Sequence, residues 1–421
     1  MCAFVVTPIT LCYTTANYKF IRKLFSVYVC FNSTHQPIME LFNAKSILRE
    51  KRWVWIDSDK GISIILVGFG HCLAILQNHG LALNSYPAIT YLSIFLYGFR
   101  MPLFFIVSGI FISGGLKKKG LKGYSIYRAD TIFYPLLIWG FIEISFSLLT
   151  SRFTHNGTTA FSYINLLIDA RKTGHFWYLN ALFFISVIYA TIRTKLNISP
   201  IKQFLLGLVL YAISAYIHIN DLNAGSLTDI FEYYLFFSIG DLISNTVLNP
   251  EYARRFASFK IFFPLLAIFL MLQYRFASYN MYGGPDGINY VEHKMPLFFL
   301  LEALVGCTIS VNFSFLLQKY NALKFLRVIG FHSLYIYCMQ IIIMTMARVI
   351  LVNILKISNV PFLVMAIWTS GIAIPIIIYN LCMQLKMWWL FTFKRPKAKA
   401  IVATSTPDVT YAPLLNTPAT N

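Results

Sequence analysis

Residues Trp55–Leu76 read WIDSDKGISIILVGFGHCLAIL. The stretch 62–82 is apolar enough and long enough to cross a bilayer, which takes about 20 residues. Yet Lys60 stands at its start and His71 lies inside it. They are eleven positions apart. That is about three turns, so both fall on one helix face, roughly 16 Å apart along the axis. A lysine at the mouth of a membrane helix is an ordinary anchor. An imidazole a third to half of the way into hydrocarbon is not, because an ionisable group at that depth faces the protein interior or a wet cavity. It is either a neutral histidine hydrogen-bonded to a neighbouring helix or a working base. Cys72 points about 100° away from His71, so a Cys–His pair is not expected. His79, two turns further on, is an alternative proton acceptor.

The rest of the chain has the same character. Its 421 residues are 57 % hydrophobic and only 12 % charged, where a soluble domain would be about a quarter charged. A chain this long and apolar is an all-α polytopic membrane protein. Aromatics make up 17 %, as lipid-facing and interfacial surfaces require. The net charge of +19 falls in loops in a regular rhythm, which is a topology signal. No soluble basic domain exists, so nucleic acid is not an expected partner. The seven cysteines form no CxxC or CxH pair, so neither a structural metal site nor a disulfide framework is expected.

Ten spans are predicted, at 62–82, 90–114, 131–150, 176–193, 203–219, 229–247, 261–275, 296–316, 329–352 and 361–391. The seventh is short and is expected to be tilted or partly re-entrant. Arg49, Lys51, Arg52 and Lys60 precede the first. Lys117, Lys118, Lys119, Lys122 and Arg128 separate the second from the third. Further clusters at Arg193–Lys202, Arg254–Lys260, Lys319–Arg327 and Lys394–Lys399 recur at every second loop. The intervening loops are poorer in Lys and Arg, which puts both termini in the cytoplasm. No internal repeat and no paired broken helices mark a transporter. The expected organisation is an extension over 1–50, a ten-helix domain over 51–393 and a basic, then disordered tail over 394–421. Residues 1–38 hold no full span, and Met39 opens the basic run into the first helix, so Met39 is the expected start.

Four further stretches lie in order along the chain. FRMPLFFIVSGIFISGG (Phe99–Gly115) opens the second span, and RADTIFYPLLIWGFIE (Arg128–Glu143) opens the third. GHFWYLNALF (Gly174–Phe183) opens the fourth, and FLRVIGFHSLYIYCMQ (Phe325–Gln340) opens the ninth. Together with Lys60 and His71, they resemble the integral membrane acyltransferase family 3, most of all its fucose 4-O-acetylase-like, polysaccharide O-acetyltransferase branch. The family's first helix has Arg or Lys, ten residues, then His; Lys60 and His71 match it. Leu103–Gly109 matches its LFFxxSG element. His175, Trp177 and Tyr178 match its HxWFLxALL element, and Tyr234–Ile243 resembles its FxxGxLI helix. Gln340 stands where many members have His. The resemblance covers roughly 50–350.

The resemblance implies acyl transfer from cytosolic acyl-CoA to a hydroxyl of a cell-surface glycan or lipid-linked sugar. A sugar hydroxyl is a poor nucleophile at neutral pH, and a histidine is suited to take its proton during attack on a thioester. His71 is therefore the expected general base. Lys60 and Arg128 are the expected contacts for the CoA phosphates. Gly109 is read as room for the pantetheine chain and Ser108 as a hydroxyl beside it. Plain helix packing is the competing reading for both. A covalent Ser108 is disfavoured because no Asp or Glu stands beside His71 to complete a triad. Arg100, His175 and Trp177 enter their helices from the outer side, where an acceptor would bind. No cofactor is expected to be permanently bound; acetyl-CoA or another acyl-CoA is a substrate. The expected location is a cell membrane, specifically a bacterial inner one.

Glu143, Glu232, Asp241 and Glu302 are intramembrane carboxylates, functional candidates that sequence cannot place relative to His71. A transporter with a His/carboxylate proton relay is the competing class, and a membrane sensor the third. The missing repeats and the ordered motifs argue against the transporter; Gln340 leaves room for the sensor, and the retention of both Lys60 and His71 argues against it. Oligomeric state is not legible.

Overall fold

The structure is a computed structural model and describes residues 41–49, 53–78, 85–154, 158–282 and 291–394. The expectations for Met39 and residues 1–38, for Lys51, Arg52 and His79, and for the tail beyond Lys394 lie outside these residues. Within them the chain is helical, with no strand.

The long helices are α1 (Val54–Gln77), the pair α2 (Pro87–Phe95) and α3 (Arg100–Ile110), α4 (Ile112–Arg128) running through a π turn into α5 (Tyr134–Thr154), α6 (Trp177–Lys195), α7 (Pro200–Ile219), α8 (Ser226–Val247), α9 (Phe259–Tyr282) and α10 (Pro296–Tyr320). The short α11 (Phe325–Phe331) leads into α12 (Ser333–Arg348), and α13 (Val360–Gln384) closes the set. Each of the ten expected spans coincides with one of these helices or pairs. Eight segments are long and apolar enough to cross a membrane. The other two, α6 and α8, are of similar length and carry more polar residues. Alternate helix ends collect the basic clusters, giving a basic end and an opposite end.

Local chemistry explains the helix starts. Proline opens α2, α7 and α10, where its missing N–H has no helical partner to lose. The Ser199 hydroxyl accepts from the Lys202 N–H at 3.4 Å and Asn359 Oδ1 from the Phe362 N–H at 2.9 Å, as N-caps do. Outward faces are apolar: Leu205, Val209, Phe263, Met271, Leu297 and Met365 are exposed, as a lipid-facing belt would be.

Helix α1 is the hub, packing against α3, α10, α11, α12 and α13. It begins eight residues before the predicted span. Polar residues Asp57, Ser58 and Asp59 lie inside it and are buried; Ser58 donates to the Val54 carbonyl at 3.0 Å, and α10 supplies partners for Asp59. Ser310 and Ser314 donate to Asp59 Oδ1 at 2.6 and 3.2 Å. Lys60 therefore sits in the second turn of the helix rather than at its mouth. Gly61 lies on the Leu326 carbonyl and Gly330 on the Asp57 carbonyl, so α1 and α11 touch backbone to backbone.

Two expectations need correcting. The seventh span is not short: α9 runs 24 residues, with Pro264 absorbed in its second turn. The second span is broken. Turn residues Leu96–Phe99 separate α2 from α3, so Arg100 opens a helix deep inside the protein instead of at its outer edge. Gly120, at φ 65°, bends α4 at its lysine run and turns the chain at the basic end.

The contact of α3 with α8 rests on Gly109 and Gly240. A side chain at Gly109 would strike the Phe237 carbonyl, and one at Gly240 the Ile106 carbonyl. Gly109→Leu or Gly240→Leu is expected to destabilise the protein by about 1–3 kcal/mol or more, as overpacking does. Gly114→Ala, which meets nothing within 4 Å, is expected to leave stability unchanged. Thermal unfolding in detergent reads both.

Candidate functional site

His71 and His175 meet in the interior. Their rings are 5.6 Å apart, edge to face. His71 is half-buried on α1; His175 is buried, just before α6. The short segments Ser162–Ile168 and Ala170–Thr173 bring the chain back in to start α6 there. Asn180, on α6, holds the first of them by donating to the Leu166 and Leu167 carbonyls at 2.9 and 3.0 Å.

His175 is fixed on every side. Its Nε2 lies 3.0 Å from the Tyr337 carbonyl. A carbonyl only accepts, so Nε2 carries the hydrogen. The Tyr337 hydroxyl in turn donates to the His175 carbonyl. Nδ1 faces Glu143 Oε1 at 3.5 Å. That contact holds one proton between the two groups, as acid with imidazole or as carboxylate with imidazolium. Glu143 thus reaches His175 and not His71, and no Ser–His–carboxylate triad forms around Ser108.

On the side toward the opposite end, Arg100 lies beside His71's neighbour Gly70. Its guanidinium donates to the Leu66 carbonyl at 2.8 Å and sits 4.6 Å over the Tyr97 ring. Gly70 makes that possible: a Cβ there would stand 2.7 Å from both terminal nitrogens. Tyr97 donates to Glu292 Oε1 at 3.0 Å. Arg171 donates to Asp229 Oδ1 at 2.6 Å and lies 4.3 Å from the Trp177 ring. Tyr233 packs on the same indole at 5.2 Å. His218 pairs with Glu232 at 3.1 Å and stacks on His293 at 4.0 Å. Burial raises the Glu292 carboxyl above its ordinary range, against the pull of Arg171. Burial, with the charges of His218 and Arg171, holds His293 down at about 3, so it is neutral at physiological pH. The result is a cluster of two arginines, aromatic rings and carboxylates, a charged chamber wall with Arg100 buried and Arg171 exposed at its edge.

On the side toward the basic end, Arg128 donates through Nε to Ser186 at 3.1 Å, and its Nη2 is buried with no hydrogen-bond partner among the described residues. Lys118, Lys394 and Arg128 lie near enough for their charges to act on Lys119. Asp130 ties the chain's last described turn here, accepting from Thr392 Oγ1 at 2.7 Å and the Phe393 N–H at 2.9 Å. An open cleft of about 470 Å³ lies at this end, lined by Ser113, Leu116, Arg193 and residues 197–200. Nearby Asp241 accepts from Ser113 at 2.6 Å and from Tyr189 at 2.7 Å.

The structure brings together His71, His175 and Arg100. It places Trp177 at the chamber, with its ring covered by Arg171 and Tyr233. Lys60 is half-buried further toward the basic end. Ser108 is half-buried on α3. Gly109 opens no space for a ligand, because the α8 backbone fills it. His175 was expected at an outer surface and instead lies buried beside His71. Tyr97, Arg171, Asp229, Tyr233 and Glu292 were not singled out from sequence. The charged run DARKTGH (Asp169–His175) was the available signal for Arg171. Among the described residues no group of three or more His, Cys, Asp or Glu is arranged to hold a metal.

A sequence model described as an acyltransferase domain matches residues 53–381, most of the chain. No curated protein and no solved structure matches it.

Replacing Gly70 by Val would push the Arg100 guanidinium off its seat next to His71. Catalytic activity is expected to fall about 10–100-fold, the scale of a misplacement of about 1 Å. Thermal stability should fall as well, because the buried guanidinium leaves the Leu66 carbonyl. Turnover and unfolding measured on the same purified variant check this.

Proposed function

The chain belongs to the acyltransferase family 3, and we propose that it moves an acyl group, acetyl in particular, from acyl-CoA to a hydroxyl of a cell-surface glycan or its lipid-linked precursor. The observation that carries this is the His71–His175 contact, set between an arginine nitrogen with no hydrogen-bond partner among the described residues toward one end and an aromatic, charged cluster toward the other.

The donor enters from the basic end, which is the cytoplasmic end by the distribution of Lys and Arg. Arg128 Nη2, Lys60 and the lysines of the bend meet the CoA phosphates. The acceptor enters from the opposite end, toward Arg100, Arg171 and Trp177. Trp177 shares its ring with Arg171, so the chamber binds hydroxyls mainly through its charged groups. In the reaction His71 takes the hydroxyl proton as that oxygen attacks the thioester carbonyl carbon. The tetrahedral adduct collapses, the C–S bond breaks, and the CoA thiolate leaves with the proton from His71. The ester and free CoA are the products, and His71 is neutral again. His175 is the positioning residue. Glu143 and the Tyr337 carbonyl fix its ring, which packs edge to face with His71 and holds it toward the substrates.

Both substrates meet at the bundle interior, so no soluble domain is required and the bilayer itself is the scaffold. The cell membrane, specifically a bacterial inner membrane, is the location this implies. The polysaccharide-modifying, fucose 4-O-acetylase-like branch is the part of the family this reading favours.

Membranes carrying wild type or His71→Ala at matched levels, supplied with acetyl-labelled acetyl-CoA, test the reading. Label is expected in the glycan fraction with wild type and is expected to drop at least about 100-fold with His71→Ala, the scale of general-base loss. Equal labelling by both proteins would remove His71 as the base. A wild type that labels nothing would contradict the acetyl donor.

A further inference from the structure

Gln340 on α12 is fully buried at 0 % exposure, yet neither its Nε2 nor its Oε1 has a hydrogen-bond partner among the described residues. A buried amide left wholly unpaired is unfavourable and rare in native proteins. Its surroundings do not relieve it. Oε1 lies 3.4 Å from where a Cβ on Gly68 would stand, and the same spot is lined by Met344 and the Trp368 ring. These walls are apolar.

Its position is specific. Gly68 is three residues before His71 on α1, so one turn separates them. Tyr337, which clasps His175 through both its carbonyl and its hydroxyl, is three residues before Gln340 on α12. The unpaired amide therefore belongs to the ring of residues around the two histidines. Gly68 puts no side chain against the amide; a Cβ there would stand in van der Waals contact with Gln340 Oε1, Met344 and Trp368. An amide does not titrate, so Gln340 cannot serve as a base. It offers two N–H donors at any pH, in a setting of low dielectric where a donor acts strongly on a developing negative charge.

We propose that the Gln340 amide binds the acyl carbonyl oxygen of the donor and stabilises the oxyanion of the tetrahedral adduct; the proposal rests on the acyl-CoA reading above. As the acceptor oxygen bonds to the carbonyl carbon, the C=O π electrons move onto oxygen, and Gln340 Nε2–H donates to that oxygen. When the C–S bond breaks, the carbonyl reforms, the thiolate takes the proton from His71, and Gln340 is unchanged.

Gln340→Met keeps the volume and removes both polar atoms. With no protein partner to lose, the variant is expected to unfold at the same temperature as wild type or higher. Its kcat for acetyl transfer should fall about 100-fold or more, as for the loss of one oxyanion donor. KM for acetyl-CoA should change by less than about threefold, and Gln340→His, which keeps an N–H, should recover part of kcat. Three results would overturn the proposal. A kcat for Gln340→Met within about threefold of wild type would remove the amide from the reaction. A clear drop in its unfolding temperature would show that the amide has a structural partner. Failure of wild type to bind acetonyl-CoA, a non-reactive ketone analogue of acetyl-CoA, would overturn the donor reading and this proposal with it. Binding of that analogue with unchanged kcat in the variant would overturn the role of Gln340 alone.

Discussion

A polar side chain held at membrane depth must find its partner inside the protein, because hydrocarbon offers none. That constraint organises this molecule. It draws Asp59 to Ser310 and Ser314, Asp241 to Ser113 and Tyr189, and Glu302 to Gln273. It extends α1 through its own charged start, because α10 satisfies the buried carboxylate there. It also gives meaning to the groups left over. Arg128, Trp139, Glu143 and Gln340 are among those that keep a buried polar atom with no hydrogen-bond partner among the described residues. Glu143 contacts His175 directly, and Gln340 lies one helical turn from the residue that clasps it.

Close backbone contact is what lets those groups converge. Gly61 and Gly330 bring α11 onto α1, Gly109 and Gly240 bring α3 onto α8, and Gly70 seats the Arg100 guanidinium. Small residues at helix interfaces serve the same purpose in membrane proteins generally. The break at Leu96–Phe99 adds a further device. A continuous helix would have carried Arg100 past the interior, whereas the interrupted one presents it at the Leu66 carbonyl.

The spans were legible because apolar length and the rhythm of Lys and Arg are one-dimensional signals. Lys60 and His71 were legible as a pair for the same reason: eleven residues on one helix have a fixed geometry. Helix ends were less so, since Asp57 and Asp59 read as a boundary until the partners of Asp59 on α10 are known. His175 was legible as a candidate but not in its place, because the re-entry of residues 158–176 depends on contacts such as Asn180 with Leu166. Gly109 looked equally like ligand space and helix contact; only the position of α8 decides between them. The chamber of Tyr97, Arg171, Asp229 and Glu292 draws on four separate segments and has no local pattern to read.

The account stands on His71 and His175 acting as one unit, and a double-mutant cycle measures that most directly. Purified wild type, His71→Ala, His175→Ala and the double variant are compared by kcat/KM for acetyl transfer, with unfolding temperatures confirming that each is folded. If the two rings act together, each single variant loses most of the activity and the double variant is about as impaired as the worse single one. Losses that multiply in the double variant would mean that the histidines act independently, and would contradict the account.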